Sequence, residues 1–382
     1  MRETIRSCKV LLFLLALLAL LGAAGQPASA QDEPAIVKDS IQFTPYTYNA
    51  YRKSWDVWSW VLRIEFRVNG PIASGDQLFV EVTLPGGGPW VKFDCSTDER
   101  PPGRWMKTSC GGNEIPEDKS VTYTGPVTFA IRLRNPLSGA GVTTLFTGKA
   151  KVVKAHSNEK GPKALNKWVY YVDHDWTLPI GYVYLVHENP KMPRFEAAFW
   201  MRGDLSTKPG EQSAIYPIQP HLLYQGKEVG LLFIDDEQVG KASCGGELTL
   251  SPTRSVDESV PQTGEWTRVT CSFYSVFGWD KTGGKRTPVR GETGQLHLFS
   301  GNPGDYELKV LMRGRLARSL KFSVAEDGTI VDNGIAMANK LGSDKVIVPV
   351  KFTGAPDGVW NRLAWKTEAF YGNPLTGFTA AP

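Results

Sequence analysis

The chain has 382 residues, 41% of them hydrophobic and 21% charged, which is the balance of a folded protein with room for two or three domain cores. It excludes an acidic disordered chain and a membrane bundle, while 39 Gly and 26 Pro call for many turns and lean toward β structure. Of the net charge of +4, Arg2, Arg6 and Lys9 against Glu3 supply +2 at the very start. So small an excess over the rest gives no reason to expect nucleic acid or an anionic membrane surface as partner.

Residues 1–30 have the three parts of a secretory signal: the basic start, an apolar stretch from Val10 to Leu21, and the small-residue end Ala28-Ser29-Ala30. Cleavage is expected before Gln31. The apolar stretch is shorter than the ~20 residues that cross a bilayer, and no segment from Gln31 onward is apolar enough to span. The mature protein is therefore expected outside the cytoplasm, in the periplasm, in the medium or at the cell surface.

Tyr46, Tyr48, Tyr51, Trp55, Trp58 and Trp60 crowd together next. From Trp60 the chain alternates, with Trp60, Leu62, Ile64, Phe66 and Val68 facing one way and Arg63, Glu65 and Arg67 the other, which predicts a half-buried strand. Trp58 and Trp60 share the core face of that strand. Tyr46, Tyr48, Tyr51 and Trp55 precede the alternation, so they are the candidates for an exposed recognition surface, with Arg52 and Lys53 adding polar contacts. The same period of two predicts strands at Leu78–Leu84, Val127–Leu133, Tyr306–Val310 and Leu320–Val324. Turn clusters such as Pro85-Gly-Gly-Gly-Pro89 and Gly301-Asn-Pro-Gly304 separate them. Ile335–Leu341 is the one short helical candidate.

An internal repeat organises these elements. Gly103-Arg-Trp-Met-Lys-Thr-Ser-Cys110 lies over Gly264-Glu-Trp-Thr-Arg-Val-Thr-Cys271. In the same order, Gly75-Asp-Gln77 matches Gly210-Glu-Gln212, Thr124-Gly-Pro-Val127 matches Thr293-Gly-Gln-Leu296, and Asn166-Lys167 matches Asn361-Arg362, with Pro179 and Pro374 at equal distances beyond. The expected halves are residues 31–188 and 189–382, joined by the stiff Asn189-Pro-Lys-Met-Pro193. Four cysteines remain after signal removal, and the alignment sets Cys95 on Cys244 and Cys110 on Cys271, so each half is expected to close its own disulfide. The fold class is all-β: two tandem antiparallel β-sandwiches, each with one disulfide and a Trp (Trp105, Trp266) near its second Cys. In architecture this resembles the immunoglobulin-type sandwich.

Phosphate loops, dinucleotide glycine patterns, a nucleophile elbow, HExxH and EF-hand loops need fixed spacings that the sequence lacks. Asp173-His174-Asp175, flanked by Tyr170, Tyr171 and Trp176, places an imidazole between two carboxylates and is the alternative polar site, for a general base or a divalent metal. In a strand the two Asp would point away from the His. The equivalent stretch of the second half reads Glu368-Ala369-Phe370, so a function shared by both halves would not rest on His174. Asp235-Asp236-Glu237 suits a hairpin tip better than calcium, and the five histidines are scattered singly. No metal and no cofactor is expected.

The leading expectation is an exported, non-enzymatic protein that binds a glycan or a surface protein. The alternatives are an extracytoplasmic hydrolase using Asp173, His174 and Asp175, and a structural subunit of a surface assembly.

Overall fold

The computed structural model describes residues 34–49, 58–86, 88–98, 106–111, 117–137, 141–156, 168–202, 218–230, 232–234, 237–238, 243–247, 266–283, 292–294, 296–312, 314–341, 345–353 and 360–382. The fold is nearly all β. The first sheet takes β1 (Ala35–Asn49), β2 (Trp58–Asn69), β3 (Gln77–Thr83), β4 (Pro89–Asp98), β5 (Met106–Gly111), β6 (Gly125–Arg134), β7 (Thr143–His156) and β8 (Trp168–Val172). Its order is β1-β2-β5-β4-β3-β6-β7-β8, antiparallel throughout.

The second sheet has ten strands. They are β9 (Ile180–Val186), β10 (Arg194–Arg202), β11 (Ile218–Tyr224), β12 (Lys227–Glu228), β15 (Ser243–Glu247), β16 (Trp266–Phe277), β18 (His297–Leu298), β19 (Gly304–Met312), β20 (Arg315–Val324) and β21 (Lys345–Phe352). The main path runs β12-β11-β19-β20-β21-β9-β10-β16-β15, with β18 beside β16. A small three-stranded sheet adds β13 (Leu232–Ile234), β14 (Glu237–Gln238) and β17 (Glu292–Gly294).

Alternation forms these strands and builds two cores. On β2, Trp60, Leu62, Ile64, Phe66 and Val68 are buried and Arg63 and Arg67 exposed, so one face of the strand removes its apolar surface from water. Val127, Phe129 and Ile131 of β6 join the same core. In the second core Phe195, Phe299, Tyr306 and Phe322 are in contact, with Tyr306 and Phe322 stacked at 5.4 Å. Phe79 departs from the pattern: it lies on the polar face of β3, yet it is buried. Lys92 and Arg134 cover its ring at 4.4 and 5.2 Å, so cations shield what the core does not. The helical candidate forms only one turn, Ile335–Ala338, because Gly334 enters it at φ 74° and Lys340 leaves at φ 56°.

Two disulfides each join directly opposed residues of neighbouring antiparallel strands, Cys95 to Cys110 across β4 and β5 and Cys244 to Cys271 across β15 and β16. They point to an oxidising, extracytoplasmic environment. Removing the first crosslink frees a loop of 15 residues in the unfolded chain, so the Cys95→Ser/Cys110→Ser variant should lose ~3 kcal/mol in denaturant unfolding. An unchanged midpoint would show that the bond constrains nothing.

The first sheet stays open at one seam. Strands β1 and β8 end the order yet lie against one another, and β1 carries a register shift between Val37 and Gln42. In the second sheet β21 pairs directly with β9. The C-terminal segment fills the open seam of the first sheet from the far end of the chain.

Candidate functional site

Tyr371 is the wedge at that seam. Its hydroxyl accepts a hydrogen bond from the Phe43 amide at 3.0 Å and donates to the Ile41 carbonyl at 3.2 Å, giving two backbone groups of β1 the partners that a neighbouring strand would have supplied. Burial pushes the phenol well above its ordinary range, so it stays a donor. Phe370 and Tyr371 hold φ of 44° and 59°, the left-handed region that costs a non-glycine residue ~1 to 3 kcal/mol. Gly372 follows at φ 85°, and Lys149 lies where a β-carbon would be added. Asn373 fastens the turn to the first sheet by donating to the Thr147 carbonyl at 3.0 Å.

Opposite this turn lies the stretch after β8. Asp173 accepts from Lys151 Nζ at 3.2 Å and from the Asp175 amide at 3.3 Å. His174 is buried between aromatics, 5.9 Å from Trp176 and 5.5 Å edge-on from Tyr371, and that burial lowers its pKa to about 3. It is a neutral core imidazole. Asp175 is buried too, and its Oδ2 accepts from the Asn361 amide at 2.7 Å, tying the segment after β21 to the segment after β8.

Between the two stretches opens a pocket of about 290 Å³. Trp176 and Tyr371 form an aromatic corner, their rings 5.9 Å apart at 67°, and Lys151, Asp173 and Glu368 supply the charge. Glu368 is half-buried. Its carboxyl is pushed above the ordinary range first by burial and then by the charges of Asp173 and Asp175, against the pull of Lys151. Lys151 is raised, chiefly by the hydrogen bond and charge of Asp173, with Glu368 and Asp175 adding to it.

The structure thus distributes the expected polar triplet: Asp173 lines the pocket, while His174 and Asp175 do not. Sequence reasoning did not single out Glu368, Tyr371 and Lys151. The alignment of the halves carried a signal for Glu368, since it sets Asp173-His174-Asp175 against Glu368-Ala369-Phe370, and both stretches contribute to this pocket. Of the other sequence matches, one can be seen to differ in structure and two have a member outside the described residues. Thr124-Gly125 leads into β6 whereas Thr293-Gly294 lies in β17, and Asn166, Lys167, Gly210 and Gln212 fall outside the described residues. No family model and no curated protein matches the chain.

Of the aromatic surface candidates, Tyr46 and Tyr48 belong to β1, a separate strand ahead of the alternating β2, where they pair with Val61 and Ser59. Tyr51, Arg52, Lys53 and Trp55 lie outside the described residues, as do Trp105, Asp235 and Asp236. His221 pairs with Glu228 at 2.8 Å and His297 with the Tyr306 hydroxyl at 2.8 Å. Among the described residues no three His, Cys, Asp or Glu side chains come together to hold a metal. No helix among them is long and apolar enough to cross a membrane.

Proposed function

We propose that the protein is an exported, non-enzymatic binding protein of the cell envelope or medium that takes a glycan or a surface-protein side chain in the pocket between β8 and the C-terminal segment. One observation carries this reading: a pocket lined by Trp176 and Tyr371 together with Lys151, Asp173 and Glu368. Apolar ring faces accept the CH-rich face of a sugar or an aliphatic stem, and polar neighbours meet its hydroxyl or amine groups.

The reading includes a pair of immunoglobulin-like units made by duplication, which the strand orders support. The order β1-β2-β5-β4 with β3-β6-β7 is the strand order of an immunoglobulin-type Greek key. The order β9-β10-β16-β15 with β11-β19-β20 repeats it, and each disulfide joins the corresponding pair of strands. In this reading the second unit starts at β9, ahead of the Asn189–Pro193 connector, and its tail returns to complete the pocket on the first. A leader at residues 1–30 fits the two disulfides.

Thr367 is exposed at the pocket rim, so Thr367→Trp should block entry while changing stability by less than about 0.5 kcal/mol. On a glycan array the mature protein should bind a defined subset of sugars and this variant should lose them. Identical binding by both proteins would remove the pocket from the function.

The hydrolase alternative is favoured by one observation, the raised carboxyl of Glu368 facing the same pocket as Asp173. It rests on those two carboxylates and not on the buried His174. Release of reducing ends from an array-positive glycan, abolished by Glu368→Gln, would establish it in place of simple binding.

A further inference from the structure

We propose that β21, β9 and β10 form a layer shared by both cores, so that the two sheets unfold as one body with no hinge between them. This goes beyond the binding reading and does not depend on it. The observation is how side chains sort on these three strands. Val183 of β9, Ala197 and Phe199 of β10, and Val346 and Val348 of β21 belong to the second core. Their neighbours in sequence point the other way: Ile180 and Tyr182, Ala198, and Ile347 belong to the first. The register sets Tyr182 directly opposite Ala198 on one side and Ile347 on the other, which makes one apolar row across the three strands. An antiparallel sheet with water on its second face carries polar residues there. This row is dry because it packs into the first core.

The first sheet reaches across to this layer with the bulge of β1. Between Val37 and Gln42 the strand leaves its register with β2, and Ser40 fastens the bulge by donating to the Val37 carbonyl at 2.6 Å and accepting from the Arg67 amide at 2.8 Å. Asp39, in the bulge, accepts from Lys345 Nζ of β21 at 2.9 Å, the two side chains being 5% and 19% exposed. An ion pair so far from water tolerates one arrangement of its partners, so it sets how the two sheets meet. Lys345 also lies near the Tyr182 and Tyr184 rings, at 6.0 and 5.9 Å, and covers the end of the apolar row. Asn333 donates to the Ile347 carbonyl at 2.5 Å, and Ala336 and Leu341 just beyond it enter the first core as well. Joints that swing are small and polar, whereas a hinge here would expose Tyr182, Ala198 and Ile347 to water.

The test is scanning calorimetry with small-angle X-ray scattering on the whole mature chain. Wild type should melt in one transition whose calorimetric and van't Hoff enthalpies agree, at a ratio of about 1. Ala198→Arg places a long cation between the layers and leaves the second core untouched, since that core lies on the opposite face of β10. It should split the transition in two or remove the part that belongs to the first core, and the maximum dimension in scattering should grow. Hydrogen exchange at the Leu308 amide should show the second core still folded in this variant. Gln219→Arg, an equal change at an exposed position of β11, should leave the single transition and the dimension as they are. Two resolved transitions in wild type would overturn the shared layer. So would an Ala198→Arg protein with a single transition and unchanged scattering, or one that has lost the protection of Leu308.

Discussion

Acidification from pH 7 to pH 3.5 should cost the protein about 4 kcal/mol through His174 alone. The imidazole is buried among Trp176 and Tyr371, and burial disfavours its charged form, so its pKa falls from the ordinary 6.5 to about 3 on folding. The unfolded chain therefore binds a proton below pH 6.5 that the native state refuses until about pH 3. The contribution is fully present above pH 6.5 and is lost as the pH falls through that window. Glu368 works in the opposite sense: its raised carboxyl takes up a proton more readily in the native state, so its contribution is lost as the pH rises through its folded value. Urea unfolding at a series of pH values checks this. The free energy of wild type should fall steeply between pH 6.5 and 3.5, whereas His174→Gln, whatever its stability at pH 7, should give a much flatter curve. Parallel curves would mean that His174 is charged in the folded protein, and the polar-site reading of Asp173-His174-Asp175 would return.

That contrast shows what a sequence conveys about such a site. The triplet Asp173-His174-Asp175 is visible as three ionisable residues in a row, but their separate fates depend on groups far away in the chain. Asn361 takes Asp175, and Tyr371 helps to bury His174. Periodicity carries no such information, since it reports which face of a strand is dry and not what the dry face touches.

The strands show the same division. β2, β3, β6, β19 and β20 are half-buried, and their alternation is legible in the sequence. β9 is not, because Ile180, Tyr182, Val183 and Leu185 are buried on both faces, and a strand dry on both sides has no alternation to read. β1 hides behind its register shift between Val37 and Gln42. The outward Phe79 would read as a misplaced core residue until Lys92 and Arg134 are seen above it. In the pocket, Asp173 could be singled out because it sits in a dense polar motif, whereas Glu368 lies in a stretch of ordinary composition. The matches of Asn166-Lys167 with Asn361-Arg362 and of Pro179 with Pro374 hinted that the two stretches correspond.

Tyr371 should be the side chain on which the C-terminal segment depends most. Truncation to Ala removes a large buried ring that contacts Phe43, Phe129, His174 and Trp176, and should cost ~3 to 5 kcal/mol. Tyr371→Phe keeps the ring and removes only the hydroxyl, leaving the Phe43 amide and the Ile41 carbonyl without that partner, for a cost of ~1 to 3 kcal/mol. The left-handed backbone at Phe370 and Tyr371 sharpens the expectation, because strain of that kind persists only where surrounding contacts hold it. With the hydroxyl gone, the turn has less to oppose its relaxation and the seam between β1 and β8 should open locally. Hydrogen exchange resolves this from a general loss of stability. The Phe43 amide, protected in wild type by a bond to a residue 328 positions away, should exchange much faster in Tyr371→Phe than amides at the centre of the second core, such as Leu308. Equal protection of the Phe43 amide in both proteins would show that the seam is held by β1 and β8 themselves. The C-terminal turn would then be a passenger on the first sheet, and the pocket it lines would lose its fixed wall.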